Sequence, residues 1–173
     1  VAITKHGFDK VLSNLKPDVQ EYELEAELIG ECTRRRATMG YAPIVASGKN
    51  ACTLHYVENN SPCQEGDLLL IDVGANHANY TADVTRVFPV SGRFTPRQKK
   101  LYQAVLRVLQ SSIQRTVVGT TLSQWKWDAQ HQMAGELHAL GLLNKDEYEA
   151  DSLESPACKK FFMHGLGHSL GLG

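Results

Sequence analysis

Apolar residues recur along this chain with two periods, and the period changes several times. Over 18–38, Leu24, Leu28 and Cys32 stand at four-residue steps, the stripe of a helix with one covered face. Pro17 and Asp18 open that segment, and residues 2–15 predict an earlier helix. The pattern then shortens. Tyr41 to Ala46 and Cys52 to Tyr56 predict short strands, separated by the turn-rich Ser47-Gly48-Lys49-Asn50, and Pro62 to Asp67 predicts a loop. Residues 68–75 (LLLIDVGA) and 79–90, rich in Leu, Ile, Val, Thr and Phe, predict two strands joined through Asn76-His77-Ala78-Asn79. Helical periodicity returns after Phe94. Thr95 and Pro96 are an N-cap and an N1 proline, opening a helix to about Val117 with Leu101, Val105, Val108 and Leu109 inward. A further helix runs from Thr121 or Ser123 to Leu140 and ends at Gly141; its Trp125, Trp127 and Met133 are packing residues. Residues 144–160 are polar, a loop with short helical turns. Helices, strands, helices and a final strand-like motif give an α+β or mixed α/β order, with no repeat and no low-complexity linker.

The two central strands each carry one aspartate, Asp72 and Asp83. A hairpin centred between His77 and Ala78 would pair them directly, with Cβ atoms about 4.5–5.5 Å apart. Opposed carboxylates on a mostly apolar hairpin repel, and burial raises the cost of keeping both ionised. Two divalent cations about 3.5–4 Å apart would offset that repulsion and activate a water between them. The bland alternative is one aspartate capping the turn and the other solvated.

Composition narrows the class without choosing within it. The 173 residues suit one domain, with 42% hydrophobic and 21% charged residues and a formal net charge of −1, which argues against disorder and against a nucleic-acid surface. The one dense basic run, Arg34-Arg35-Arg36, falls at a helix end, where cations meet the negative end of the dipole. The longest apolar run, Leu68 to Val73, is too short to cross a bilayer, and VAITKHGFDK does not resemble a signal peptide. Cys32, Cys52, Cys63 and Cys158 show no metal-ligand spacing, so reduced thiols in a cytoplasmic protein are expected.

The segment FFMHGLGHSLGLG sets His164 and His168 four positions apart. Four glycines argue against a helix there, each costing about 1 kcal/mol in a helix interior. In an extended strand the two rings would stand about 13 Å apart, too far to share one metal. Spacing alone leaves open which of them is a ligand and which meets substrate.

Four segments in order, LHYVEN (54–59), LLLIDVGA (68–75), YTADVTRVFPVSGRFT (80–95) and FFMHGLGHSLGL (161–172), resemble the metallopeptidases of the pita-bread fold. The Xaa-Pro aminopeptidase branch is most similar and prolidase is its neighbour. The resemblance implies that Asp72, Asp83 and His168 are ligands of a dinuclear site, usually manganese, and that His164 and His55 line the substrate site. It implies a hydroxide bridging the metals that attacks the carbonyl before proline, with a glutamate carrying the proton. The implied substrate is a peptide with a free N-terminus and proline second, and assembly into homo-oligomers is compatible with it. In the family pattern two glutamate ligands lie beyond the position of Gly173, and a further domain precedes the catalytic one. The chain is therefore expected to be an incomplete, inactive piece of a catalytic domain. A second reading is a pita-bread module that binds peptides without catalysis. Retention of Asp72, Asp83 and His168 together favours the enzyme, since a binding module has no need to oppose two carboxylates.

Overall fold

The computed structural model describes residues 1–168, which divide into two compact units, Val1–Phe94 and Thr95–His168. The last residues of the glycine-rich segment, 169–173, lie outside the described residues. The architecture is mixed α/β, as the pattern predicts.

The first unit begins with two helices, α1 (Ala2–Asn14) and α2 (Glu21–Arg34). Helix α2 starts three residues later than its apolar pattern suggests. Asp18 adopts a left-handed φ of 69°, and Gln20 and Glu23 form a reciprocal capping box. That box satisfies backbone donors a helix start leaves without partners. The stripe Leu24, Leu28 and Cys32 is buried as expected, and Leu24 and Leu28 pack with Phe8 and Val11 of α1 and Val45, Leu69, Ile71 and Val73 of the strands. The predicted helical continuation to residue 38 is replaced by a turn and a strand, β1 (Thr38–Met39).

Among the described residues, six short strands make two three-stranded antiparallel sheets. One has the order β1-β4-β5, with β4 Ala75–His77 and β5 Tyr80–Thr81; the other has β2-β3-β6, with β2 Ile44–Ser47, β3 Leu68–Val73 and β6 Val84–Pro89. Along β3, Leu69, Ile71 and Val73 are buried while Leu68, Leu70 and Asp72 share the other, half-covered face. This is the period-2 alternation of a strand with one core face.

No strand forms over 52–56. Gly48–Cys52 is a 3₁₀ turn, and an irregular loop follows it. The cause is a buried carboxylate. Glu21 accepts from Ser47 N (2.7 Å), Asn50 Nδ2 (3.0 Å), Tyr56 Oη (2.7 Å) and Ser61 N (3.0 Å), so the chain wraps around it instead of pairing. Buried Asn59 fixes the far side of the loop, accepting from Val45 N and donating to the Pro43 carbonyl. Its side chain thus supplies the edge of β2 with bonds a neighbouring strand would otherwise make.

The second unit packs α3 (Pro96–Gln114) on α4 (Leu122–Ala139), followed by α5 (Lys145–Glu149). Thr95 caps α3 with Pro96 at its first turn, and Thr121 caps α4. The inward face of α3 is the predicted one only in part, with Val108 buried and Leu101 half-buried as expected. Ala104, Val108 and Ser112 are buried, whereas Val105 and Leu109 are exposed. Smaller side chains at 104 and 112 let α3 approach α4, whose Ala129, Met133, Ala134 and Leu137 complete this core with Leu143 and Cys158. Trp125 packs half-buried, its indole Nε1 donating to the Ser112 carbonyl (2.8 Å), and Trp127 stacks on His131.

Candidate active site

The hairpin that carries the two aspartates turns one residue later than its sequence suggests. His77 pairs with Tyr80 across a two-residue turn, Ala78-Asn79, in which both residues have positive φ (53° and 67°). This is the backbone of a type I′ turn, whose twist matches the flanking strands. Moving the centre by one residue moves every partner by two. Asp72 therefore pairs with Thr85, and the expected direct pairing with Asp83 does not form. A two-residue displacement preserves the face of the sheet, so Asp83 becomes a diagonal neighbour of Asp72, at a level about 7–8 Å away.

A third residue closes that gap. The Tyr41 hydroxyl lies 2.7 Å from Asp72 Oδ1 and 3.0 Å from Asp83 Oδ1. Asp72 is half-buried and Asp83 exposed. Burial, and then the hydrogen bonds and charges of the two carboxylates, push the Tyr41 phenol far above its ordinary value. It stays a neutral donor across any working pH. Sequence reading placed Tyr41 only at the start of a strand. No local signal marks it, because its partners lie 31 and 42 residues away.

The hairpin supplies that opening at Gly74. Gly40 N donates to the Gly74 carbonyl (2.8 Å). A Cβ on Gly74 would fall 1.6 Å from the Ala82 carbonyl oxygen and 3.1 Å from Tyr41 Cε1. Both strands lose regular pairing at this level, β3 giving way to β4 at Gly74 and β5 to β6 at Ala82 and Asp83. Asp83 thus lies at a break in the ladder, and Asp72 is the last residue but one of β3.

His55 lies on the loop held by Glu21 and Asn59. It is exposed and has a left-handed φ of 54°, a conformation a non-glycine residue keeps only when its surroundings enforce it. Tyr56 beside it is anchored to Glu21, so the loop presents His55, Leu54 and Val57 outward from a fixed base. In the second unit, His164 and His168 are exposed and lie on irregular backbone, neither helix nor strand. His164 Nδ1 lies 2.8 Å from the Gly165 carbonyl, and its ring stands edge-on to Phe162. A carbonyl only accepts, so the neutral ring is protonated at Nδ1 and offers a lone pair at Nε2. His131, outside the predicted site, bonds Asp151 (2.6 Å), and His138 stacks on Tyr148. His77 is exposed on the hairpin.

Among the described residues, no three His, Cys, Asp or Glu side chains converge to hold a metal. The pair Asp72 and Asp83 nevertheless fits part of a divalent-cation site. Both are hard oxygen donors of the kind Mn, Mg or Ca prefer. Both are gathered onto one neutral hydroxyl, which has a single proton and can neutralise neither.

The strand pair thus turns tightly, breaks its ladder at a glycine and brings two carboxylates to one hydroxyl. The whole chain, residues 1–173, matches the model of metallopeptidase family M24, and the protein belongs to that family. It is 41% identical over 172 residues to the Xaa-Pro aminopeptidase of Haemophilus influenzae, with 98% of this chain and 39% of that protein covered. It is 39% identical to the Xaa-Pro aminopeptidase of Escherichia coli over 171 residues, with 98% and 38% covered. Its fold superposes on zinc-substituted Escherichia coli aminopeptidase P in complex with product at a TM-score of 0.93 and 38% identity, covering 99% of this chain and 39% of that one. The low-pH form of the same enzyme matches equally. The chain thus spans about two fifths of the length of these relatives.

Proposed function

We propose that the protein is a metal-dependent aminopeptidase that removes an N-terminal residue preceding proline. The observation that carries the reading is the convergence of Asp72 and Asp83 on one hydroxyl, within a chain whose relatives are named Xaa-Pro aminopeptidases. Asp72, Asp83 and His168 are the proposed metal ligands, and two divalent ions bound there would supply Lewis acidity and an activated water. Manganese is the proposed ion. Carboxylate oxygens favour it, although a zinc-substituted form of the Escherichia coli enzyme also folds in this way.

The chain's own groups then have separable tasks. Asp72 and Asp83 hold negative charge at a fixed place on the hairpin. Tyr41 keeps its proton and donates a hydrogen bond to one of them. His164, fixed by its Nδ1 contact, presents the Nε2 lone pair to a substrate N–H. His55, on its anchored loop, offers a second polar contact. A cytoplasmic protein is the proposed setting, supported by four free cysteines, and no helix among the described residues is long and apolar enough to cross a membrane.

The test is hydrolysis of Xaa-Pro peptides by the full-length protein with added Mn²⁺, against matched Xaa-Ala peptides. Manganese-dependent cleavage confined to the proline series supports the reading. Tight peptide binding with no turnover at any divalent ion would replace it with a non-catalytic peptide-binding module.

A further inference from the structure

Three features of the hairpin do not follow from a pair of metal ligands alone. Asp83 does not face Asp72 in the strand pairing, so the sheet by itself does not set their separation. The residue that touches both is 31 and 42 positions away in sequence, outside the hairpin. The ring of that residue lies against Gly74, where a side chain would collide with it and with the Ala82 backbone. Glycine is thus required where the hairpin meets the tyrosine, and the break in pairing falls at the same level.

We propose that Tyr41 is a positioning residue for the metal site: its hydroxyl, shared between Asp72 Oδ1 and Asp83 Oδ1, holds the two carboxylates in place before a cation arrives. The proposal rests on the reading of Asp72 and Asp83 as metal ligands. A phenol has one proton, so it donates to one carboxylate at a time. The shorter contact makes Asp72 the acceptor. Asp83 Oδ1, at 3.0 Å, is the alternative acceptor for the same proton. Tyr41 therefore restrains the carboxylates without neutralising them, and neither contact uses an Oδ2 atom. The charge that attracts a cation is preserved and the entropy of ordering two side chains is already lost. Partners that orient metal ligands in this way commonly contribute 10- to 100-fold in affinity.

The experiment compares the wild-type full-length protein with Tyr41→Phe and Asp72→Asn, titrating each metal-free protein with Mn²⁺ by calorimetry. Phenylalanine keeps the ring on Gly74 and removes one oxygen. The expected result is Mn²⁺ binding about 10- to 100-fold weaker in Tyr41→Phe, with the metal-free melting temperature near that of wild type. Peptidase activity in this variant should recover as Mn²⁺ is raised, a rescue that a damaged fold would not show. Equal Mn²⁺ affinity in wild type and Tyr41→Phe overturns the proposal. Equal affinity in wild type and Asp72→Asn, or no binding by wild type, overturns the metal-ligand reading itself. If metal-free Tyr41→Phe is less stable, the Mn²⁺-induced rise in melting temperature within each protein decides instead. A rise as large as that of wild type would then overturn the proposal.

Discussion

At the level of single residues the chain separates groups that are reactive from groups that are sealed. Burial raises the thiols of Cys32, Cys63 and Cys158, the latter two to about 11, while Cys52 is exposed. Iodoacetamide at neutral pH should therefore label Cys52 within minutes and spare the other three until the protein is unfolded, as peptide mass mapping would show. Rapid labelling of Cys63 in the folded protein would contradict the packing around it. Glu21 is sealed in another way. Its carboxylate is fully buried with four donors, and removing one partner of such a group leaves the others unsatisfied. Glu21→Ala should cost about 3 kcal/mol or more in a denaturant titration. The sequence revealed the apolar side of α2 at this position but not Glu21, because a glutamate in the first turn of a helix reads as an ordinary dipole partner. Only the tertiary loop around it shows otherwise. Tyr41 escaped notice for the same reason: its partners are distant in sequence.

Among elements, the hairpin was the most legible part and the least forgiving of error. The strand-forming residues of 68–75 and 79–90 showed the two strands, and LLLIDVGA with YTADVTRVF pointed to the aspartates; burial then alternates along 68–73 but not along 84–89. The turn was harder to read. Asn76-His77-Ala78-Asn79 contains two residues fit for a left-handed turn, and nothing local says that Ala78 rather than Asn76 takes the strained place. One residue of displacement changed the partner of Asp72 from Asp83 to Thr85. The carboxylates still meet because face is preserved when partners move by two. Gly74→Ala tests the break in the ladder: with a Cβ 1.6 Å from the Ala82 oxygen, the backbone must shift. The expected cost is about 1–3 kcal/mol or more, with weaker Mn²⁺ binding, measured by thermal unfolding and calorimetry. A neutral effect would mean that the hairpin bends freely there.

The α3–α4 pair is also tunable. Arg107 bonds Glu136 through two nitrogens, and Gln124 and Arg115 bond Asp128. The bond from Arg107 holds the Glu136 carboxyl below its usual value, and Gln124 first, then Arg115, does the same for Asp128. A carboxyl lowered in the folded state adds stability that is present above its unfolded value and is lost as pH falls through the folded one. Stability should therefore decline as pH drops below about 4.5, and Glu136→Gln should flatten that decline in a pH series of denaturation midpoints. An unchanged acid limb would contradict the ion pair's contribution. The helices themselves were legible through Thr95-Pro96 and Thr121. The face of α3 was legible at Val108 but not at Val105 and Leu109, because the pattern favours the largest apolar residues, whereas close packing selects Ala104 and Ser112.

On the scale of the whole molecule, the four motifs resembling pita-bread metallopeptidases are matched by a family model over all 173 residues. The fold matches aminopeptidase P at a TM-score of 0.93. What the motifs could not give was the placement of Tyr41 against Asp72 and Asp83, because long-range placement depends on packing between segments and not on spacing within them. The proposed roles of Asp72, Asp83, His55, His164 and His168 stand on the activity of the full-length protein. The most direct measurement is kcat/KM for an Xaa-Pro peptide at saturating Mn²⁺, in wild type and in Asp72→Asn, Asp83→Asn and His131→Ala. Loss of at least about 1,000-fold in both aspartate variants, as expected when groups that stabilise the transition state are removed, with His131→Ala close to wild type, is the predicted result. Comparable losses in all three, or full activity in either aspartate variant, would contradict the account.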